Sequence, residues 1–244
     1  MVALLPFLLS LGLTAALPNP ASTPARTLSR RNEAWDTWCG AVQYRPPGKV
    51  KSVEASWVVP NVYPPPGGSS QTDWVEYHWV GIDGAGDCQT GILQAGTSGD
   101  IQNGYVNTQF WYEFWPDYPV FVNDFPVSPG HEVYVKVTAS DSRTGTVYLQ
   151  NKSTGKQRTI PMSMQSQGNL CFSTAEFIAE DPHTSTQWWP LARFDGTTMT
   201  GCKGTTFDGQ GFGLDGANVG NMVQNGQTKC QAQIKGSDSV YLVG

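Results

Sequence analysis

The sequence predicts an all-β fold, an antiparallel β-sandwich of jelly-roll type made of two sheets. Beyond residue 32 no long segment has helical periodicity. Apolar residues alternate with a period of two, which puts successive side chains on opposite faces of an extended chain. These runs are short and bounded by Gly, Pro, Asn and Asp, the residues of tight turns. Composition agrees, since 14% charged residues beside 27 glycines and 9 tryptophans favour many short strands over helices or disorder. At 244 residues the chain can bury a sizeable core in one such domain.

Residues 2–16 are apolar and uncharged, with a hydrophobic centre at 8–13 and the small residues Thr14, Ala15 and Ala16 at the end. The stretch is too short to cross a bilayer and is expected to be a signal peptide covering 1–16. Residues 17–31 are rich in Pro, Ala, Ser and Thr, hold no acid and close on Arg30-Arg31. They are expected to be a short propeptide cut after Arg31, leaving 32–244 as a single β-sandwich domain, exported from the cell. Losing Arg26, Arg30 and Arg31 would make the formal charge of −5 three units more negative. Such a protein sheds charge as pH falls, which limits self-repulsion in acid.

The strands follow in order. Val53, Ala55, Trp57 and Val59 share one face of a run that stops at Pro60, and 61–70 is a loop built on Pro64-Pro65-Pro66-Gly67-Gly68. Residues 74–83 form the next strand, 92–96 a short one and 108–115 an aromatic one. Val133, Val135, Val137 and Ala139 line a further strand face, and 146–150, 174–180, 191–194 and 239–243 complete the set. There is no repeat and no second-domain linker.

Several functions are disfavoured. No basic stripe is present, so nucleic acid is not an expected partner, and no mature segment has the apolar length of a membrane helix. The three histidines, His78, His131 and His183, stand outside any H-E-x-x-H motif, and no G-x-S-x-G, Asp-Thr-Gly, Asp-Ser-Gly or C-x-x-C occurs. A zinc site or a redox motif is therefore not supported. Asn151-Lys152-Ser153 is a glycosylation acceptor, expected in a turn.

Three segments could carry chemistry. In Trp79-Val80-Gly81-Ile82-Asp83-Gly84, Trp79, Gly81 and Asp83 point to one face, although an acid there is more often a strand-end turn residue. In Ile92-Leu93-Gln94-Ala95-Gly96 a glutamine stands between apolar neighbours, where its amide must find hydrogen bonds. In residues 174–181, Glu176 and Glu180 share a face with Ile178, a pattern more often met on a polar outer face. If Glu180 is only a strand-end surface acid, changing it should matter much less than changing Glu176.

In this order and spacing, the three segments resemble the signatures of the glutamic peptidases, or eqolisins. Trp111-Tyr112-Glu113 followed by Pro116-Asp117-Tyr118 resembles that family's aromatic strand. The likeness covers nearly all of the expected mature chain. It implies a two-sheet β-sandwich, secretion, acid endopeptidase activity and no metal or cofactor. It also implies that Gln94 and Glu176 are the catalytic pair, with Trp79, Asp83, Trp111 and Glu113 around them as supporting or substrate-binding residues. Two departures stand out. Ala95 replaces the family's usual threonine, removing a hydroxyl expected beside the site, and Gln109 falls where some relatives would carry an acid.

The chemistry of these residue types is compatible. Peptide hydrolysis without a metal or a nucleophilic side chain needs a base for water, an acid for the amine and donors for the oxyanion. One carboxyl can serve as base and acid, and an amide can orient water and donate to the oxyanion. The expected partner is a polypeptide substrate met by a monomer. A β-sandwich glycosidase is the first rival, using Glu113 and Glu176 with tryptophans to stack sugars, but it leaves Gln94 without a task. A secreted carbohydrate-binding module is the second.

Five cysteines are present, and in an exported chain they should pair with one left over. Cys88 lies six residues before Gln94 and Cys171 five before Glu176, so a Cys88–Cys171 bridge would tie the two site strands. Cys202 is expected to pair with Cys230, leaving Cys39 odd.

Overall fold

The computed structural model describes residues 32–69, 72–183 and 189–244. The expected signal peptide and propeptide lie outside the described residues. Eighteen strands are described: β1 (Asn32–Trp35), β2 (Trp38–Tyr44), β3 (Val50–Val58), β4 (Val62–Tyr63), β5 (Trp74–Ile82), β6 (Ile92–Gln102), β7 (Tyr105–Trp115), β8 (Val120–Phe121), β9 (Glu132–Ala139), β10 (Thr144–Asn151), β11 (Lys156–Ser163), β12 (Thr174–Glu180), β13 (Arg193–Phe194), β14 (Thr197–Thr206), β15 (Gly211–Phe212), β16 (Asn218–Gln224), β17 (Gln227–Ile234) and β18 (Ser239–Val243). No helix occurs among the described residues, and apart from the parallel pairing of β1 with β16 the ladders are antiparallel.

The main strands form one hydrogen-bonded order, β11-β10-β9-β3-β14-β18-β17-β16-β2-β12-β5-β6-β7-β8. It doubles back at β17, whose first half pairs with β16 in one layer and whose second half pairs with β18 in the other. The period-two pattern explains what fills the space between. Val133, Val135, Val137 and Ala139 of β9 and Val147 and Leu149 of β10 are fully buried in the core. Val80, Ile82, Leu93, Ala95, Phe110, Phe114 and Phe177 meet them from the other layer. Each such large side chain contributes about 1.5–3 kcal/mol on burial. The Trp57 indole, on β3, donates to Thr97 Oγ1 of β6 at 3.1 Å, the hydrogen bond a buried indole N–H requires.

The segment expected as a short strand at 92–96 is instead β6, eleven residues long. Ser98 and Asp100 look like the end of a strand in one dimension, but β6 lies between β5 and β7 and both of its faces are covered. It returns as β7 through Asn103-Gly104, with φ of 50° and 80°, a turn whose twist suits a two-residue hairpin.

One expectation is corrected. Cys39 pairs with Cys230 and Cys202 is the free thiol. The reason is topological: β2 and β17 both flank β16, whereas Cys202 sits buried on β14 in the other layer. The second bridge is Cys88–Cys171, as the spacing suggests. Asn151-Lys152-Ser153 enters the turn at 152–155 as expected, with Asn151 itself ending β10 fully buried, its amide donating to Pro126 O at 3.1 Å and contacting His131 Nδ1 at 2.9 Å.

Candidate active site

On the sheet face turned away from the core, the register lines up one row across five strands. Val42 of β2 opposes Glu176 of β12, Glu176 opposes Gly81 of β5, Gly81 opposes Gln94 of β6, and Gln94 opposes Glu113 of β7. Directly opposed residues project to the same face. Two ladder steps separate Glu176 from Gln94, about 10 Å between Cα atoms. Glycine occupies the place between them. A Cβ on Gly81 would stand 2.8 Å from Trp79 Cζ3 and 3.3 Å from Gln94 Cβ.

The next row is Gly40, Ile178, Trp79, Gly96, Trp111 and Phe121. Here Gly96 is obligatory, because a Cβ would lie 1.8 Å from the His78 carbonyl oxygen. Val42, Trp79, Trp111 and Ile178 form a second apolar cluster, with Trp38, Tyr77 and Phe121 against it, and this cluster floors the site. Trp38 meets Trp79 edge-on at 5.0 Å, and Tyr77 lies 4.8 Å from Trp111.

Of the six residues expected at the site, Gln94, Glu176, Trp79, Trp111 and Glu113 share this face. Asp83 sits at the end of β5 with a φ of 70°, a conformation Asp adopts more readily than most residues. Its buried carboxylate accepts from the backbone N–H of Cys171, Phe172 and Ser173 at 2.7 Å and of Thr174 at 3.2 Å, and from Ser173 Oγ at 3.0 Å. It therefore shapes the segment that delivers Glu176. Asp83, Cys88 and Cys171 lie close enough to suggest a cation site, but both thiols are in the disulfide and the carboxylate is filled by amides, which is no donor set for a metal.

The expectation for Ala95 is corrected: it points into the core, so a hydroxyl there would not border the site. Gln109 is on the site face one row beyond Trp111, held by Asn107 and by Asn123. Glu180 is also corrected. It accepts the indole N–H of Trp38 at 3.1 Å and of Trp79 at 2.7 Å, so it belongs to the floor and not to an outer surface. Its position two strand steps beyond Glu176, through Ile178, was the available signal.

The carboxyls of this face hold their protons tightly. Burial pushes Glu176 well above the ordinary carboxylate range, a contact with Thr174 works against that, and the Asp83 charge adds to it. Both oxygens of Glu176 are buried and without a geometrically satisfactory hydrogen bond. Burial, then the charge of Glu180, push Glu113 to about 8, against a hydrogen bond from Gln94. Burial pushes Glu180 to about 7 although the Trp38 and Trp79 indoles pull it back. The row opens at either end. Beyond Glu113 lies a hollow of about 410 Å³ walled by Pro116, Asp117, Tyr118 and Met162. Beyond Val42 lies another of about 320 Å³, walled by Trp35, Trp38 and Tyr44.

A two-layer antiparallel β-protein with acids, amides and indoles along one sheet face is the class that the motifs implied, the glutamic-type peptidases. Residues 36–242 match the model of the peptidase A4 family. The chain belongs to that family. It is 32% identical to scytalidopepsin B of Scytalidium lignicola over 224 residues, covering 88% of this chain and 81% of that protein. It is 33% identical to aspergillopepsin-2 of Aspergillus niger over 162 residues, 66% of this chain and 56% of that protein, so the match spans little more than half of that relative. Among solved structures, scytalido-glutamic peptidase with a transition state analog inhibitor superposes with a TM-score of 0.75 at 29% identity, covering 85% of this chain and 98% of that one. Aspergilloglutamic peptidase from A. niger gives a TM-score of 0.65 at 31% identity, covering 70% and 98%.

Proposed function

We propose that the protein is a secreted acid endopeptidase that hydrolyses polypeptides with one water, Glu176 and Gln94, through no covalent intermediate. The observation that carries this reading is the single ladder row on which Glu176 and Gln94 face the same way with only Gly81 between them. The two hollows at the ends of the row suit substrate on either side of the cut bond. Two disulfides favour an oxidising compartment, in keeping with the signal-like start of the chain.

A Glu176 that keeps its proton in acid can act at both oxygens. As the water oxygen bonds to the carbonyl carbon, its proton passes to one Glu176 oxygen. The Gln94 Nε2–H donates to the developing oxyanion, a contribution of roughly 3 kcal/mol to the barrier. In the same step the proton on the other Glu176 oxygen moves to the amide nitrogen, so the carboxyl never carries two protons; the C–N bond then breaks and Glu176 ends protonated as it began. Trp79, Trp111 and Glu180 hold the floor, and Asp83 holds the approach to Glu176. Glu113 and Glu176 are three ladder steps apart, about 14 Å between Cα atoms. A glycosidase pair of Glu113 and Glu176 would leave Gln94, which stands between them on the row, without a task.

The test is proteolysis of a denatured protein in acid by purified Glu176→Gln and Gln94→Ala, with circular dichroism on each. Each is expected to lose at least about 10²-fold in rate while remaining folded. A folded Glu176→Gln retaining most of the activity overturns the reading.

A further inference from the structure

Gln94 has two different ends to offer the gap above Gly81. Its Nε2–H groups would donate to an oxyanion, whereas its Oε1 would repel one. Its terminal torsion is two-fold, so the ends exchange by a half-turn that leaves the rest of the side chain in place. Which end faces the gap must be set by a neighbour. The direct cross-strand partner of Gln94 is Glu113. In the present arrangement Gln94 Nε2 donates to Glu113 Oε2, and Gln94 Oε1 is buried without a hydrogen-bond partner. That is how the amide answers a carboxylate, which can only accept. A carboxylic acid has a donor as well.

We propose that Glu113 is the positioning residue for Gln94, and that only with a proton on Glu113 does the amide present both Nε2 hydrogens to the reaction centre. Protonated Glu113 donates its O–H to Gln94 Oε1 and turns the amide over. When Glu113 loses that proton to solvent it draws Nε2–H to itself and leaves Oε1 on the gap side. This rests on the peptidase reading above and adds a device that shuts the reaction down once Glu113 ionises.

The surroundings of Glu113 favour the protonated form. β12 presents the acid Glu180, and the loop after β7 presents Asp117 and Tyr118. β5 contributes the Tyr77 phenol, β6 the neutral Gln94, β8 Val120, and β11 with its following loop Pro161, Met162, Ser163 and Gln165. None of the described residues walling the hollow beside Glu113 is a cation. Arg143 is spent on the carbonyls of Met164, Ser166 and Gly168, and Arg158 of β11 is paired with Asp124. Burial and the acid neighbours hold the Glu113 proton to about 8.

The experiment compares kcat and KM across pH for wild type, Glu113→Gln and Glu113→Leu. The amide that Glu113→Gln introduces can donate to Gln94 Oε1 at every pH. It should restore a measurable rate where leucine, of similar size, loses about tenfold or more in kcat with little change in KM. The neutral-side fall of kcat/KM should move upward in Glu113→Gln by about one pH unit or more, with circular dichroism confirming the fold at each pH. An unmoved fall, or a leucine variant as active as the glutamine variant, overturns the proposal. Glu176→Gln is assayed alongside. If it stays active, the peptidase reading itself fails. If it is inactive and the Glu113→Gln profile is unmoved, only the role of Glu113 fails. A readout that needs no Glu113 variant is the side-chain amide resonance of Gln94 in ¹⁵N-glutamine-labelled wild type, assigned by its loss in Gln94→Ala. It should step once as pH rises through about 8, and a flat trace overturns the proposal.

Discussion

The indole Nε1–H of Trp79 donates to Glu180 Oε2 at 2.7 Å, tying the floor of the candidate site to the end of β12. Glu180→Leu removes the acceptor from the buried Trp79 indole and the half-buried Trp38 indole. It is expected to destabilise the fold by about 2–4 kcal/mol, since each buried N–H left unpaired costs about 1–3 kcal/mol. Glu180→Gln keeps one acceptor oxygen and should cost less. Peptidase activity should fall in both, though less than in Glu176→Gln. Urea titration with a parallel rate measurement checks this, and a fully stable Glu180→Leu would contradict it.

Asp83 accepts four backbone N–H groups and one hydroxyl, so its loss strands several buried donors at once. Asp83→Ala is expected to cost about 3–5 kcal/mol. Asp83→Asn tolerates the positive φ but has a single acceptor oxygen, and should fall between alanine and wild type. Activity should drop in the same order, because the segment held by Asp83 leads into Glu176. Equal stability of the alanine and asparagine variants would count against this account.

Gly81 and Gly96 should fail differently. At Gly96 an added Cβ meets the His78 carbonyl oxygen at 1.8 Å, which is main chain and cannot yield. At Gly81 the nearest atom is the edge of the Trp79 ring at 2.8 Å, a side chain that can shift. Gly96→Ala is therefore expected to yield little folded protein, whereas Gly81→Ala folds but loses at least about tenfold in kcat by filling the space between Glu176 and Gln94. Expression yield, circular dichroism and acid proteolysis separate the two.

The fold should be most stable in acid. Glu113 is held at about 8, Glu180 at about 7 and Asp100 at about 7, each because burial disfavours its charge. These values lie above those of the unfolded chain. The stability they contribute is complete below roughly pH 4 and is lost as pH rises through about 7 to 8. Glu54 acts in the opposite sense: despite burial, Lys136 and Lys203 lower it, so its contribution is lost in acid. Exposed pairs such as Lys49–Asp208 are worth little. The buried set should dominate, with Tm on the order of 10 °C higher at pH 4 than at pH 8. Calorimetry across that range tests the sign.

Much of this is legible in one dimension, and the parts that are not share a cause. The alternation at 174–180 and 239–243 marks β12 and β18 residue for residue, because each is short and sharply bounded. The strand opening at Ile92 reads too short since Ser98 and Asp100 are buried polar residues on a central strand, a state that polarity alone does not announce. β2 is buried on both faces, and β14, β16 and β17 carry too many glycines or polar residues, so none shows a clean alternation. Glu176, Gln94 and Glu113 can each be suspected from motifs, but their common row is a property of register between strands. The same holds for Asp83, whose partners lie 88 to 91 residues away. It also holds for Cys39, whose mate is decided by which strands flank β16.

The Cys39–Cys230 bridge joins positions 191 residues apart, so nearly the whole described chain is a covalent ring. One cut in any surface loop between them opens the ring but frees no fragment, and the sandwich keeps its strands in place. A protein whose neighbours in solution are copies of the same chain cutter would survive a first bite from any of them. Release of a piece takes a second cut, and between Cys88 and Cys171 the inner bridge holds even some doubly cut chains together.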